Sequence, residues 1–97
     1  MAIVISPQIR GKLATKHQVK PQEVDQCFAN RQGEYILDTR EEHVADALTY
    51  WFIAETDYGR KLKVVFVEEN GNLYIRTAFP PNEATIRYYL EHGGSAI

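Results

Sequence analysis

The dipeptide Asn70-Gly71 separates two runs rich in β-branched and aromatic residues, Arg60–Glu68 and Asn72–Phe79. A two-residue hairpin loop of the I′ type needs positive φ at both central residues, and Asn-Gly meets that need at little steric cost. No other feature constrains the fold as tightly. It reverses the chain at a known point, and the two-residue period of a strand then decides which side chains share a face. A loop at 70–71 predicts Glu69 opposite Asn72, Phe66 opposite Ile75, Val64 opposite Thr77 and Leu62 opposite Phe79. One face then carries Leu62, Val64, Phe66, Leu73, Ile75 and Phe79 and is the expected core face. The other carries Lys63, Val65, Val67, Tyr74, Arg76 and Ala78.

The rest of the chain reads around this hairpin. Ile3-Val4-Ile5 is a short strand or extended lead-in, and Ser6 followed by Pro7 is a favourable helix start. That helix is expected to run to about His17 with Ile9, Leu13 and Ala14 on its apolar side. Pro21 opens a second helix, for which Lys20 is a poor cap, and Val24, Cys27 and Phe28 form its buried face. Glu34–Asp38 reads as a short strand, Thr39–Asp46 as an acidic loop, and Leu48–Thr56 as a central strand. Asp57-Tyr58-Gly59 turns the chain. A two-residue and a three-residue turn there place opposite sets of hydrophobes inward. After Pro80-Pro81, Asn82 or Pro81 starts a last helix to about Glu91, packed through Ile86, Tyr89 and Leu90. The expected class is α+β: two N-terminal helices, a four-stranded antiparallel sheet and a C-terminal helix, in one domain over residues 1–97 with a frayed end from about 93.

Length and charge narrow the functional classes. A chain of 97 residues closes one core with little stability to spare. Its one cysteine, Cys27, has no internal partner for a disulfide, and no CxxC or Cys/His cluster suggests zinc, so no metal or cofactor is expected. The apolar start is too short for a signal peptide or membrane span, which points to a cytoplasmic protein without membrane association. Residues 1–22 carry Arg10, Lys12, Lys16 and Lys20 and no acid, whereas residues 23–57 carry nine acids against Arg31 and Arg40. Nucleic-acid contact would therefore be local, because the net charge is −2.

Walker, GxGxxG, GxSxG and HExxH patterns are absent. Three histidines offer general-base chemistry: His17 at the end of the first helix, His43 within the acidic DTREEH run, and His92 in the tail. The hairpin register brings Lys63 and Arg76 into diagonal reach on the face away from the core, with Tyr74 next along it. Two cations and a phenol there could hold a phosphate and stabilise a phosphorane. Equally, their aliphatic stems could cover Val65 and Val67 while the charges stay in water.

Lys16-His17-Gln18-Val19 with Glu23-Val24 and Phe28, then Lys61–Val67, Asn70-Gly71, Tyr74–Ala78 and a helix ending in Tyr88-Tyr89, resembles the BrnT toxins across residues 10–90. Closer still is the resemblance of the DTREEH, WFIAETD-GR-LKVVF and TA-PN segments to small bacterial proteins often labelled ADP-ribosyl-dinitrogen-reductase hydrolase-like, read here as a BrnT-like branch. The resemblance implies a RelE-like fold and the toxin of a type II toxin–antitoxin pair. It also implies a metal-independent, ribosome-independent endoribonuclease and a cognate antitoxin partner in a heterotetrameric complex. Carried onto this chain, Lys63 and Arg76 hold the phosphate and His43 or His17 takes the proton, while Arg40, Arg60, Tyr74 and Arg87 contact RNA. Thr77-Ala78-Phe79 stands where that family has Ser-Ala-Arg, which motivates a second expectation, a non-catalytic module whose acidic loop over residues 34–46 binds a basic partner protein. A third, a small ADP-ribose or nucleotide hydrolase, rests on the label alone.

Overall fold

The computed structural model describes residues 2–38 and 48–93. The chain runs β1 (Ile3–Val4), α1 (Pro7–Lys12), a π-helical turn (Leu13–His17), α2 (Pro21–Asn30), β2 (Ile36–Leu37), β3 (Thr49–Glu55), β4 (Lys61–Glu69), β5 (Asn72–Phe79) and α3 (Glu83–His92). The α+β class and the element order are as the sequence predicts. The sheet is not the expected four-stranded antiparallel one. It has five strands in the order β1-β5-β4-β3-β2, because the N-terminal residues pair in parallel with β5, Ile3 beside Leu73 and Val4 beside Tyr74. Leu73 N–H donates to the Ala2 carbonyl at 2.8 Å, and Asn72 Oδ1 accepts from Ala2 N–H at 3.1 Å. The run from Leu48 is a central strand as expected: β3 lies between β4 and β2.

Both turn residues take the positive φ that the hairpin requires, 54° at Asn70 and 80° at Gly71. The predicted register holds from Glu69/Asn72 to Phe66/Ile75, and then β5 carries one extra residue. Val65 faces Thr77, Val64 faces Ala78 and Lys63 faces Phe79, so Arg76 is the bulged residue. A bulge inserts a residue into one strand and reverses the alternation beyond it. Two assignments therefore change: Ala78 is fully buried in the core, and Phe79 leaves the core face. The open register of β3 is settled by a three-residue turn, with Thr56 N–H donating to the Arg60 carbonyl across Asp57–Gly59. Phe52 then pairs with Val64, which directs Phe52 inward and Trp51 outward.

The inner face packs against α2. Phe28, Tyr35, Phe52 and Phe66 form an edge-to-face cluster with centroids 4.8 to 6.4 Å apart, a geometry that favours the ring quadrupoles. Cys27 is fully buried, its thiol 3.7 Å from the Ala54 carbonyl, and burial pushes its pKa up to about 12. Glu23 supplies the cap that Lys20 lacks, accepting from Lys20 N–H at 3.0 Å. On the outer face α3 lies against β3 through Tyr89, which is fully buried 5.7 Å from Trp51 and donates to the Glu34 carbonyl at 2.9 Å. Asn82 caps α3 by accepting from Thr85 N–H at 2.8 Å. Leu90, expected on the packing side, is 44 % exposed. Gly93, expected to fray, is buried: its N–H donates to Tyr89 and its carbonyl accepts from Glu34 N–H.

Two glycine substitutions should have opposite signs. A methyl group at Gly93 would lie 2.7 Å from the Tyr89 ring, whereas one at Gly11 meets nothing within 4 Å. In urea unfolding, Gly93→Ala should lose about 1–3 kcal/mol by overpacking. Gly11→Ala should gain roughly 0.5–1 kcal/mol by limiting the unfolded backbone.

Candidate functional site

The first helix does not run unchanged to His17. Its last five residues widen into a π turn, in which the Leu13 carbonyl accepts from both Gln18 and Val19 N–H. Gln18 takes a left-handed φ of 54° to close it. Such wide turns recur at functional sites. Here the turn buries Leu13 and Val19 in the core while Lys12, Lys16 and His17 lie toward the outer face of the sheet. β1 pairs only with Leu73 and Tyr74, and the π turn packs against β5.

The π turn is held by one guanidinium. Arg60, at the entrance to β4, donates to the His17 carbonyl at 3.0 Å and the Gln18 carbonyl at 2.9 Å, and pairs with both Glu23 oxygens at 3.1 Å. Burial alone would raise the Glu23 pKa. The Lys20 N–H and the Arg60 guanidinium outweigh it, and the carboxyl sits below its ordinary value. Arg60, read from sequence as an RNA contact, is thus engaged within the fold.

The result is a groove of about 420 Å³ on the outer face, lined by Lys12, Lys16 and His17 from the helix side and by Lys63, Arg76 and Phe79 from the sheet. Thr49 and Thr77 add hydroxyls, and no acid lines it among the described residues. The Lys63 ammonium lies 4.5 Å from the Trp51 centroid and 5.8 Å from that of Phe79, within cation–π range. His17 packs on Phe79, with centroids 5.4 Å apart and planes at 37°. The bulge makes this arrangement: it places Phe79 beside Lys63 and leaves Arg76 exposed at the rim. Phe79 is therefore a wall of the site rather than part of the core. Four cations converging with no acid in the lining among the described residues favour an anion, because each attracts the same charge in a partly desolvated cleft.

The structure brings together Lys63, Arg76 and His17 of the predicted set and adds Lys12 and Lys16. Sequence reading missed these two because α-helical spacing does not foretell the π turn; the run of cations without acids in residues 1–22 was their only signal. Tyr74 is partly exposed beside β1, and Arg87 is exposed on α3; neither lines the groove. Arg40 and His43 lie outside the described residues, as does most of the predicted acidic loop. His92 stacks on Tyr88 at 4.0 Å, away from the groove lining. A larger cleft of about 600 Å³ between the end of α2 and the β3–β4 turn is lined by Glu55 and Asp57 against one cation, Arg31, a balance that favours an anion less than the groove does. Among the described residues no three His, Cys, Asp or Glu side chains are placed to hold a metal, and no helix is long and apolar enough to cross a membrane. No family model, no curated protein and no solved structure matches the chain.

The Glu23–Arg60 pair carries a pH prediction. A depressed folded pKa stabilises above the unfolded value, near 4.5 for a carboxyl, and that contribution drains as pH falls through the lower folded value. Glu23→Gln should therefore flatten the acid limb of the stability profile followed by circular dichroism. In hydrogen exchange at neutral pH, Arg60→Ala should speed the Gln18 and Val19 amides while leaving those of β4 protected.

Proposed function

We propose that the domain binds the phosphodiester backbone of single-stranded RNA in this groove and cleaves it without a metal, as a toxin of the type II toxin–antitoxin kind acting in the cytoplasm under the control of a partner antitoxin. The observation that carries the reading is the convergence of Lys12, Lys16, Lys63 and Arg76 around His17 in a cleft without a lining acid among the described residues. The resemblance to the BrnT toxins supports the same chemistry. The 2′-oxygen attacks the adjacent phosphorus, and its proton passes to His17. The phosphorane charge falls between Lys63 and Arg76. The bond from phosphorus to the 5′-oxygen breaks, and that oxygen takes a proton from water. The products are a 2′,3′-cyclic phosphate and a 5′-hydroxyl end.

Incubation of the purified chain with single-stranded RNA in EDTA tests the reading. Cleavage should leave cyclic phosphate ends, fall about 10²-fold or more in Arg76→Ala, Lys63→Ala and His17→Ala, and vanish when the 2′-hydroxyl at the scissile position is removed. Cleavage unchanged in all three variants would refute the site. An uncleavable 2′-O-methyl strand should bind with a slope of log K against log salt of about −3, as expected for phosphates neutralised by the four cations. Tight binding with that slope but no cleavage would leave a nucleic-acid-binding module and remove the catalytic claim.

A further inference from the structure

Resting on the nucleic-acid reading of the groove, we propose that the neighbouring pocket, between the N-terminal half of α3 and β2, seats an unstacked nucleobase. This pocket of about 380 Å³ shares Lys63 with the groove, and its other walls include Trp51, Tyr88, Thr85, Asn82, Leu37 and one acid, Asp38. A strand whose phosphate lies at Lys63 therefore has an attached nucleoside at the mouth of a second, chemically different cavity. The groove offers cations and hydroxyls; this pocket offers rings, apolar surface and a single carboxylate, Asp38, which can accept from a base amine.

Tyr88 has the features of a stacking plate. The residue is 48 % exposed, and His92 backs its ring at 4.0 Å with planes only 20° apart. The His92 Nδ1 also lies 2.9 Å from the Tyr88 carbonyl, which keeps the backing ring in place. Trp51 lies 6.0 Å from Tyr88 and carries the Lys63 ammonium over its own ring. A half-exposed aromatic held rigid beside a cation is the element that single-strand binders use to stack successive bases. The hydrogen-bonding edge is also set. Asn82 Oδ1 must face the Thr85 N–H that it caps, so its Nδ2 is turned away from the helix end as a donor. Thr85 adds a hydroxyl that can donate or accept. Leu37, 42 % exposed, gives apolar contact at the strand side. A bare phosphate or sugar would use the polar edge at most, whereas a base would use the ring face and the polar edge together.

Trp51 is the chain's one tryptophan, so its fluorescence reports on this pocket directly. The probes are a 2′-deoxyadenosine tetranucleotide, which cannot be cleaved through a 2′-hydroxyl, and an abasic tetramer with the same backbone, titrated at low salt. The tetranucleotide should change the Trp51 emission saturably and bind roughly tenfold or more tighter than the abasic strand. Tyr88→Ala, with its fold checked by circular dichroism, should reduce the tetranucleotide to the abasic affinity and leave the abasic strand unaffected. Tyr88→Phe should behave as the parent chain. Equal affinities for the two strands in the parent chain, or a Tyr88→Ala variant that weakens both alike, would overturn the base seat and leave the phosphate groove standing. Failure of both strands to bind would overturn the base seat and the groove reading together.

Discussion

One inserted residue in β5 decides what the outer face of this sheet presents. Up to Ile75 the hairpin follows the register that the Asn70-Gly71 loop imposes; from Thr77 onward it is shifted by one. Because side chains alternate with a period of two, the shift exchanges the roles of Ala78 and Phe79. A small residue enters the core where space is short, and an aromatic ring moves outward to stand beside Lys63 and under His17. Arg76, at the bulge itself, remains exposed at the rim of the same cleft. Without the insertion Phe79 would fill core volume, and the groove would lose its aromatic wall.

A second constraint acts from the other side. The π turn brings Lys12, Lys16 and His17 over to the sheet, but a five-residue turn closed by a left-handed glutamine is not a rigid element by itself. Arg60 makes it one. Its guanidinium fork satisfies two orphan carbonyls at the helix end and pairs with the carboxylate that caps α2, so a single side chain joins the π turn, α2 and β4. A lysine has no such planar fork and could not bridge these acceptors in the same way. The groove is preorganised to the extent that this junction holds.

These two devices also mark how far the residues alone could be read. The helices, the hairpin loop and the cores of β3, β4 and β5 are local: caps, prolines and strong alternation announce them. Lys63 and Arg76 share a side whether or not the bulge is present, so their pairing was legible. The bulge has no signal in Thr77-Ala78-Phe79, because both registers bury acceptable residues, and Phe79 was the more obvious core choice. The parallel pairing of Ile3-Val4 with Leu73-Tyr74 is a contact across the whole chain that two residues cannot announce. Arg60 is a single arginine after a turn; only the fold shows that His17, Gln18 and Glu23 surround it.

The outer groove, and not the larger cleft at Glu55 and Asp57, is the proposed seat of the nucleic acid. Amide chemical-shift mapping with an uncleavable single strand measures this most directly. Perturbations should centre on residues 12–17, 63–65 and 76–79 and be suppressed when Lys63 and Arg76 are both replaced by alanine. Perturbations centred instead on residues 29–32 and 55–57, or undiminished in the double variant, would contradict this assignment.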